Sequence, residues 1–92
     1  MTTAPIRILL VDDHLMVRRG LAVMLQAFDD LALVGEAATG AEALRLCAER
    51  QPDVVLMDLQ LPDMMGVEVT RALRTAHPTV QVVALTSFRD EA

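Results

Sequence analysis

Two apolar rhythms alternate along this chain. Ile6 to Val11 is a β-rich, largely apolar run that predicts a strand, with Pro5 marking its start. His14 to Phe28 follows a helical period. Val17, Leu21, Leu25 and Phe28 form its apolar stripe, while Arg18, Arg19 and Gln26 fall mostly elsewhere. Gly20 inside this helix is a local cost of up to ~1 kcal/mol relative to Ala, which suggests close packing there. Asp29-Asp30 breaks the pattern, and Leu31 to Ala37 predicts a second strand with Val34 at its centre. Thr39-Gly40-Ala41-Glu42 has the form of a capping box, a hydroxyl followed three residues on by a carboxylate. The helix it opens runs to about Arg50, with Leu44, Cys47 and Ala48 inward and Glu42, Arg45 and Glu49 outward; Pro52 stops it.

Val54 to Met57 is apolar without a break, which predicts a strand buried on both faces. Asp58 to Gly66 reads as a loop, held by Pro62. A third helix runs from Gly66 to about Ala76, with Val69, Ala72, Leu73 and Ala76 as its stripe. It ends at His77-Pro78, because a residue before proline avoids the helical region. Val80 to Leu85 predicts a fourth strand, closed by Thr86-Ser87; Phe88 to Ala92 is too short to assign.

The order β-α-β-α-β-α-β predicts an α/β fold, with parallel strands joined by right-handed crossovers. In the flavodoxin-like (CheY-like) doubly wound sheet the strand order begins 2-1-3-4, and ligands bind beyond the carboxyl ends of the strands where that order reverses. Asp12 and Asp13 follow the first strand, Asp58 the third and Thr86 the fourth. The three carboxylates are therefore expected to converge beside Thr86.

Composition narrows the function classes. The 92 residues suffice for one domain, residues 1–92, and 53% are hydrophobic, so a core is available. Eight basic against thirteen acidic residues give a net charge of −5, which argues against nucleic-acid binding by this surface. No apolar run approaches the ~20 residues of a membrane span, and the N-terminus lacks the pattern of a secretory signal. Cys47 is alone, which fits a reducing cytoplasm and a packing role.

Three carboxylates in one pocket repel each other unless a cation is present. An oxygen-only set suits Mg²⁺, which keeps several waters and accepts one or two carboxylates plus a phosphate. A carboxylate can also act as a nucleophile and form an acyl phosphate. A hydroxyl such as Thr86 can then donate to a phosphoryl oxygen, the electrostatic positioning expected of phosphoryl transfer. His14 and His77 lie far apart in the chain. Each is expected to play a local part, at a helix start and before a stopping proline, rather than to bind metal. Met64-Met65 is expected to fill space.

The strings Ile8-Leu9-Leu10-Val11-Asp12-Asp13-His14, Pro52 to Pro62 around Asp58, and Val83-Ala84-Leu85-Thr86-Ser87 resemble the receiver domain of bacterial two-component response regulators. Arg18 and Gly20-Leu21 after Asp-Asp-His are similar to the NarL/LuxR class, whose members usually carry a helix-turn-helix DNA-binding domain. The resemblance implies that Asp58 is the phosphoacceptor, loaded by a sensor histidine kinase. It implies Asp13 as a direct Mg²⁺ ligand, Asp12 acting largely through water, Gln60 through its backbone carbonyl, and Thr86 as the switch hydroxyl. DNA would be reached only through an output domain, and no membrane is involved. The family also has a fifth strand ending in a lysine, flanked by helices. This sequence contains no Lys, so a receiver lacking its fifth strand and last two helices is expected. The fourth strand would then present an open edge, and a homo-oligomer is expected. Two other readings stand beside this one. A Mg²⁺-dependent phosphatase with an Asp nucleophile wants an acid where Gln60 stands. A degenerate receiver would serve as a phosphorylation-independent dimerisation module.

Overall fold

The computed structural model describes residues 4–85. Strands β1 (Ile6–Val11), β2 (Leu31–Ala37), β3 (Val54–Asp58) and β4 (Gln81–Leu85) alternate with helices α1 (Leu15–Gln26), α2 (Gly40–Arg50) and α3 (Gly66–Ala76). The strands form one parallel sheet in the order β2-β1-β3-β4. This is the expected topology, and it sets β1 and β3 side by side with Val11 opposite Met57.

Side chains alternate across the sheet, so β1, β2 and β3 feed two cores. Leu9, Val11, Val55 and Met57 face α2 and α3, where they bury Ala43, Cys47, Val69 and Leu73. Ile8 and Leu10 face α1 and meet Ala22, with Leu21, Leu25, Val54 and Leu56 packed around them. β3 is thus fully covered on its α2/α3 face and only partly on the other.

α1 departs from the predicted stripe. Leu21 and Leu25 pack on the sheet, but Val17 and Phe28 are exposed and Ala22 is the residue the helix buries fully. Leu15, Met16, Val23 and Met24 are exposed as well. α1 is apolar over most of its circumference, so the sheet, not the sequence period, selects which face is covered. In α2 the inward positions are Ala43 and Cys47, with Leu44 and Leu46 alongside, while Ala48 is exposed. Likewise Ala76 of α3 is exposed. Gly20 has nothing within 4 Å of where a Cβ would stand, so it does not serve close packing.

Helix starts are set by local chemistry. The Thr39 hydroxyl accepts from the Glu42 N–H at 3.1 Å. Glu42 reaches back to the Ala38 N–H at 2.8 Å, one residue earlier than in the usual reciprocal box. A third contribution comes from outside the helix. Asp63, in the β3–α3 loop, accepts from the Gly40 N–H at 2.7 Å and the Ala41 N–H at 3.0 Å. α2 ends with Gln51 in the left-handed region, φ 49°.

Candidate functional site

The sheet register builds the site. Asp12 and Asp13 leave β1 just past Val11, and Asp58 is the last residue of β3. Because Val11 pairs with Met57, the two strand ends emerge together. Asp12 and Asp58 are buried, 5% and 4% exposed, while Asp13 is exposed. Side-chain atoms of Asp12, Asp13, His14 and Asp58 all lie within 4.8 Å of one another. Buried carboxylates at this spacing call for compensating positive charge.

Neighbouring groups hold each acid in place. Oδ1 of Asp12 accepts the His14 N–H at 2.8 Å, which closes the turn into α1. The Asp12 N–H donates to the Ala37 carbonyl at 3.0 Å, which prolongs the ladder to β2. Its carbonyl accepts from Arg18 Nη1 at 2.7 Å, while Arg18 Nε donates to Glu36 at 3.0 Å. Arg18 therefore ties α1, β2 and the β1 exit together, although its charge suggested an outward position. Oδ1 of Asp58 accepts the Gln60 N–H at 3.1 Å.

Two glycines and Asp63 shape the loop after Asp58. A Cβ on Gly66 would stand 2.7 Å from Leu59 Cα and 2.9 Å from the Asp58 carbonyl oxygen, so only glycine lets α3 start this close to the β3 exit. The Gly66 N–H donates to the Leu59 carbonyl at 2.9 Å. Of the two methionines expected to fill space, Met64 does so, since a Cβ on Gly40 would meet its Sδ at 2.9 Å, whereas Met65 is exposed because it stands at the N-cap of α3. Donation from the Gly40 and Ala41 N–H groups holds the Asp63 carboxyl below its ordinary value. No sequence signal marked Asp63, because its partners lie on another element.

Of the expected site residues, the fold gathers Asp12, Asp13 and Asp58, and Gln60 joins them through its N–H. Thr86 lies outside the described residues. His14 was expected to serve only the helix start. It is the N-cap of α1, yet its Nδ1 stands 3.1 Å from both Asp12 Oδ1 and Asp13 Oδ1 and 3.8 Å from Asp58 Oδ2. Its position directly after two acids was the available signal. His77 caps α3, its N–H donating to the Leu73 carbonyl at 2.7 Å. With Cys47 it lines a cleft of about 350 Å³ among residues 51–53 and 76–80, which directly precede β3 and β4. Burial pushes the Cys47 thiol up.

A parallel sheet of this order, with acids at the ends of its two central strands, defines a receiver-type α/β module. The response regulator receiver domain family matches residues 8–92, so the chain belongs to that family, a class of signalling modules rather than turnover enzymes. It is 46% identical over 86 residues to the transcriptional regulatory protein LiaR of Bacillus subtilis, covering 94% of this chain and 41% of that one. It is 49% identical over 86 residues to the response regulator GacA of Pseudomonas viridiflava, again covering 94% of this chain and 40% of that one. A LuxR-family two-component response regulator from Aurantimonas superposes with a TM-score of 0.87 at 40% identity, over 94% of this chain and 61% of that structure. The receiver domain of NarL from Mycobacterium tuberculosis superposes with a TM-score of 0.88 at 31% identity, over 97% of this chain and 72% of that one. The chain thus spans about 40% of the length of its regulator relatives. Its acidic cluster is of the kind receivers use for Mg²⁺. Among the described residues no helix is long and apolar enough to cross a membrane.

Proposed function

We propose that Asp58 accepts a phosphoryl group from a phosphohistidine of a sensor kinase, and that this controls transcription through a helix-turn-helix domain elsewhere in the full-length protein. The observation that carries this reading is the convergence of the Asp12, Asp13 and Asp58 side chains within 4.8 Å at the carboxyl end of the sheet. In the transfer, a carboxylate oxygen of Asp58 forms a P–O bond as the P–N bond to the kinase histidine breaks. The released imidazole takes up a proton.

The donor set fits the metal: three carboxylates, two of them buried, offer hard oxygen ligands. Asp13 and Asp58 would hold Mg²⁺ directly, Gln60 through its carbonyl, and Asp12 largely through water. When bound, the ion supplies neutralising charge for the phosphoryl oxygens. The remaining work falls to the chain. The Gln60 N–H orients Asp58 by binding its Oδ1. Arg18 fixes the Asp12 carbonyl and so the turn that carries Asp13. Leu85 is the register partner of Asp58, which supports giving the next residue, Thr86, the switch hydroxyl. The exposed apolar residues of α1 support self-association. A cytoplasmic location is supported by the single, unpaired Cys47, which suits a reducing compartment.

The test is intact mass after incubation with Mg²⁺ and a small acyl phosphate. The parent gains one phosphate and Asp58→Asn gains none, while both keep the same fold by circular dichroism. An adduct on the Asn variant, or none on the parent, overturns the assignment. A phosphorylation-independent dimerisation module is the reading left in the second case.

A further inference from the structure

We propose that His14 is a metal ligand alongside Asp13 and Asp58, and that it makes the pocket favour first-row transition dications over Mg²⁺. The inference rests on reading the acidic pocket as a metal site and goes beyond it in naming a nitrogen donor and a class of ion. The N-cap position of His14, φ −87° and ψ 107°, with its N–H on Asp12 Oδ1, turns the ring over the pocket. Nδ1 then faces all three acids, at 3.1, 3.1 and 3.8 Å from Asp12, Asp13 and Asp58.

Those separations are what a shared ion requires. Metal–ligand bonds of about 2.1 Å place adjacent octahedral donors about 3.0 Å apart and opposite donors about 4.2 Å apart. Nδ1 stands at the adjacent spacing from Asp13 and between the two values from Asp58. Those three groups need no large rearrangement to close on one ion.

The nitrogen changes which ion is preferred. Carboxylates suit Mg²⁺ and Mn²⁺, whereas imidazole suits Zn²⁺, Cu²⁺, Fe²⁺ and Ni²⁺. Mg²⁺ gives up its waters reluctantly and gains little from a ring nitrogen. A transition ion gains a full ligand. His14 therefore discriminates between ions, while the carboxylates attract either.

The test uses Co²⁺, whose visible spectrum reports nitrogen against oxygen ligation, together with calorimetric titration of Mg²⁺. Four proteins are compared: the parent, His14→Gln, Asp13→Asn and His77→Ala. Losing His14 is expected to weaken Co²⁺ binding by about tenfold or more and Mg²⁺ by less than about twofold. The His14→Gln spectrum should move toward all-oxygen ligation. His77→Ala, remote from the pocket, should match the parent. Equal losses for both ions, or an unchanged Co²⁺ spectrum in His14→Gln, overturn the proposal; the ring then only hydrogen-bonds the acids. If Asp13→Asn abolishes Mg²⁺ binding in that same outcome, the acidic pocket still stands as a metal site. If the parent binds neither ion, both readings fall together. Circular dichroism of each variant separates lost ligation from lost folding, and a histidine variant that fails to fold is replaced by His14→Asn.

Discussion

Three glycines, each changed to alanine, should give three different outcomes. At Gly66 the new Cβ would sit 2.7 Å from Leu59 Cα, 2.9 Å from the Asp58 oxygen and 3.1 Å from the Leu59 oxygen. All three are backbone atoms, so none can step aside without moving the β3 exit. Overpacking of this kind costs about 1–3 kcal/mol, and the gain of up to ~1 kcal/mol from helix propensity is weak at a first helical position. A net loss of about 1–2 kcal/mol remains. At Gly40 the clash is with Met64 Sδ and Val69 Cγ2, both at 2.9 Å. Methionine is flexible and yields, so a smaller loss is expected. At Gly20 nothing lies within 4 Å, and mid-helix alanine should stabilise by about 0.5–1 kcal/mol. In a domain this size each kcal/mol moves the midpoint by about 4–8 °C. Urea titration followed by far-UV circular dichroism suits a chain without Trp or Tyr. The predicted order of stability is Gly20→Ala above parent, parent above Gly40→Ala, and Gly66→Ala last. Only Gly66→Ala should also impair phosphate uptake, because the loop it displaces begins at Asp58. A Gly66→Ala protein as stable as Gly20→Ala would refute the close approach of α3 to that loop.

Further outcomes follow from the same contacts. The Asp63 carboxyl is held below its ordinary value of 3.8 by the Gly40 and Ala41 N–H groups, so its contribution is present above that pH and lost as pH falls through the lower folded value. Asp63→Ala should therefore unfold in less urea than the parent at neutral pH, and the two midpoints should converge in acid; a gap that persists below the folded value contradicts the link. Arg18→Ala frees the Asp12 carbonyl and leaves Glu36, partly buried, without its partner, at a cost of about 1 kcal/mol; a double-mutant cycle with Glu36→Gln should show coupling. The buried Cys47 thiol, pushed up by burial, should resist alkylation in the native protein and react once urea unfolds it. Equal rates in both states would mean that the α2/α3 core opens readily.

The sequence revealed most where one residue type had one reason to be where it is. β1 and β3 were legible because their apolar runs end in carboxylates, and the order of elements then left few topologies open. Thr39 and Glu42 marked the start of α2 correctly because capping is a local interaction. Val17 and Phe28 were misplaced for a physical reason. A period identifies an apolar face, but on a helix as apolar as α1 it does not say which part meets the sheet. Arg18, Asp63 and His14 escaped for another reason. Arg18 reaches Glu36 and Asp63 reaches the start of α2, groups brought near by folding, while His14 beside its two acids was read only as a helix start; a charged or polar side chain reads by default as solvated. The site's acids needed only strand ends and register to be found. The groups that hold those acids needed the third dimension.

The account stands most directly on which side chain takes the phosphate. Treating the phosphorylated protein with borohydride reduces an acyl phosphate to an alcohol, which peptide mass spectrometry locates. The predicted result is homoserine at position 58 alone, with Asp12 and Asp13 unchanged. Reduction at Asp12 or Asp13, or a phosphate that survives on another residue type, would contradict the assignment of Asp58 as the acceptor.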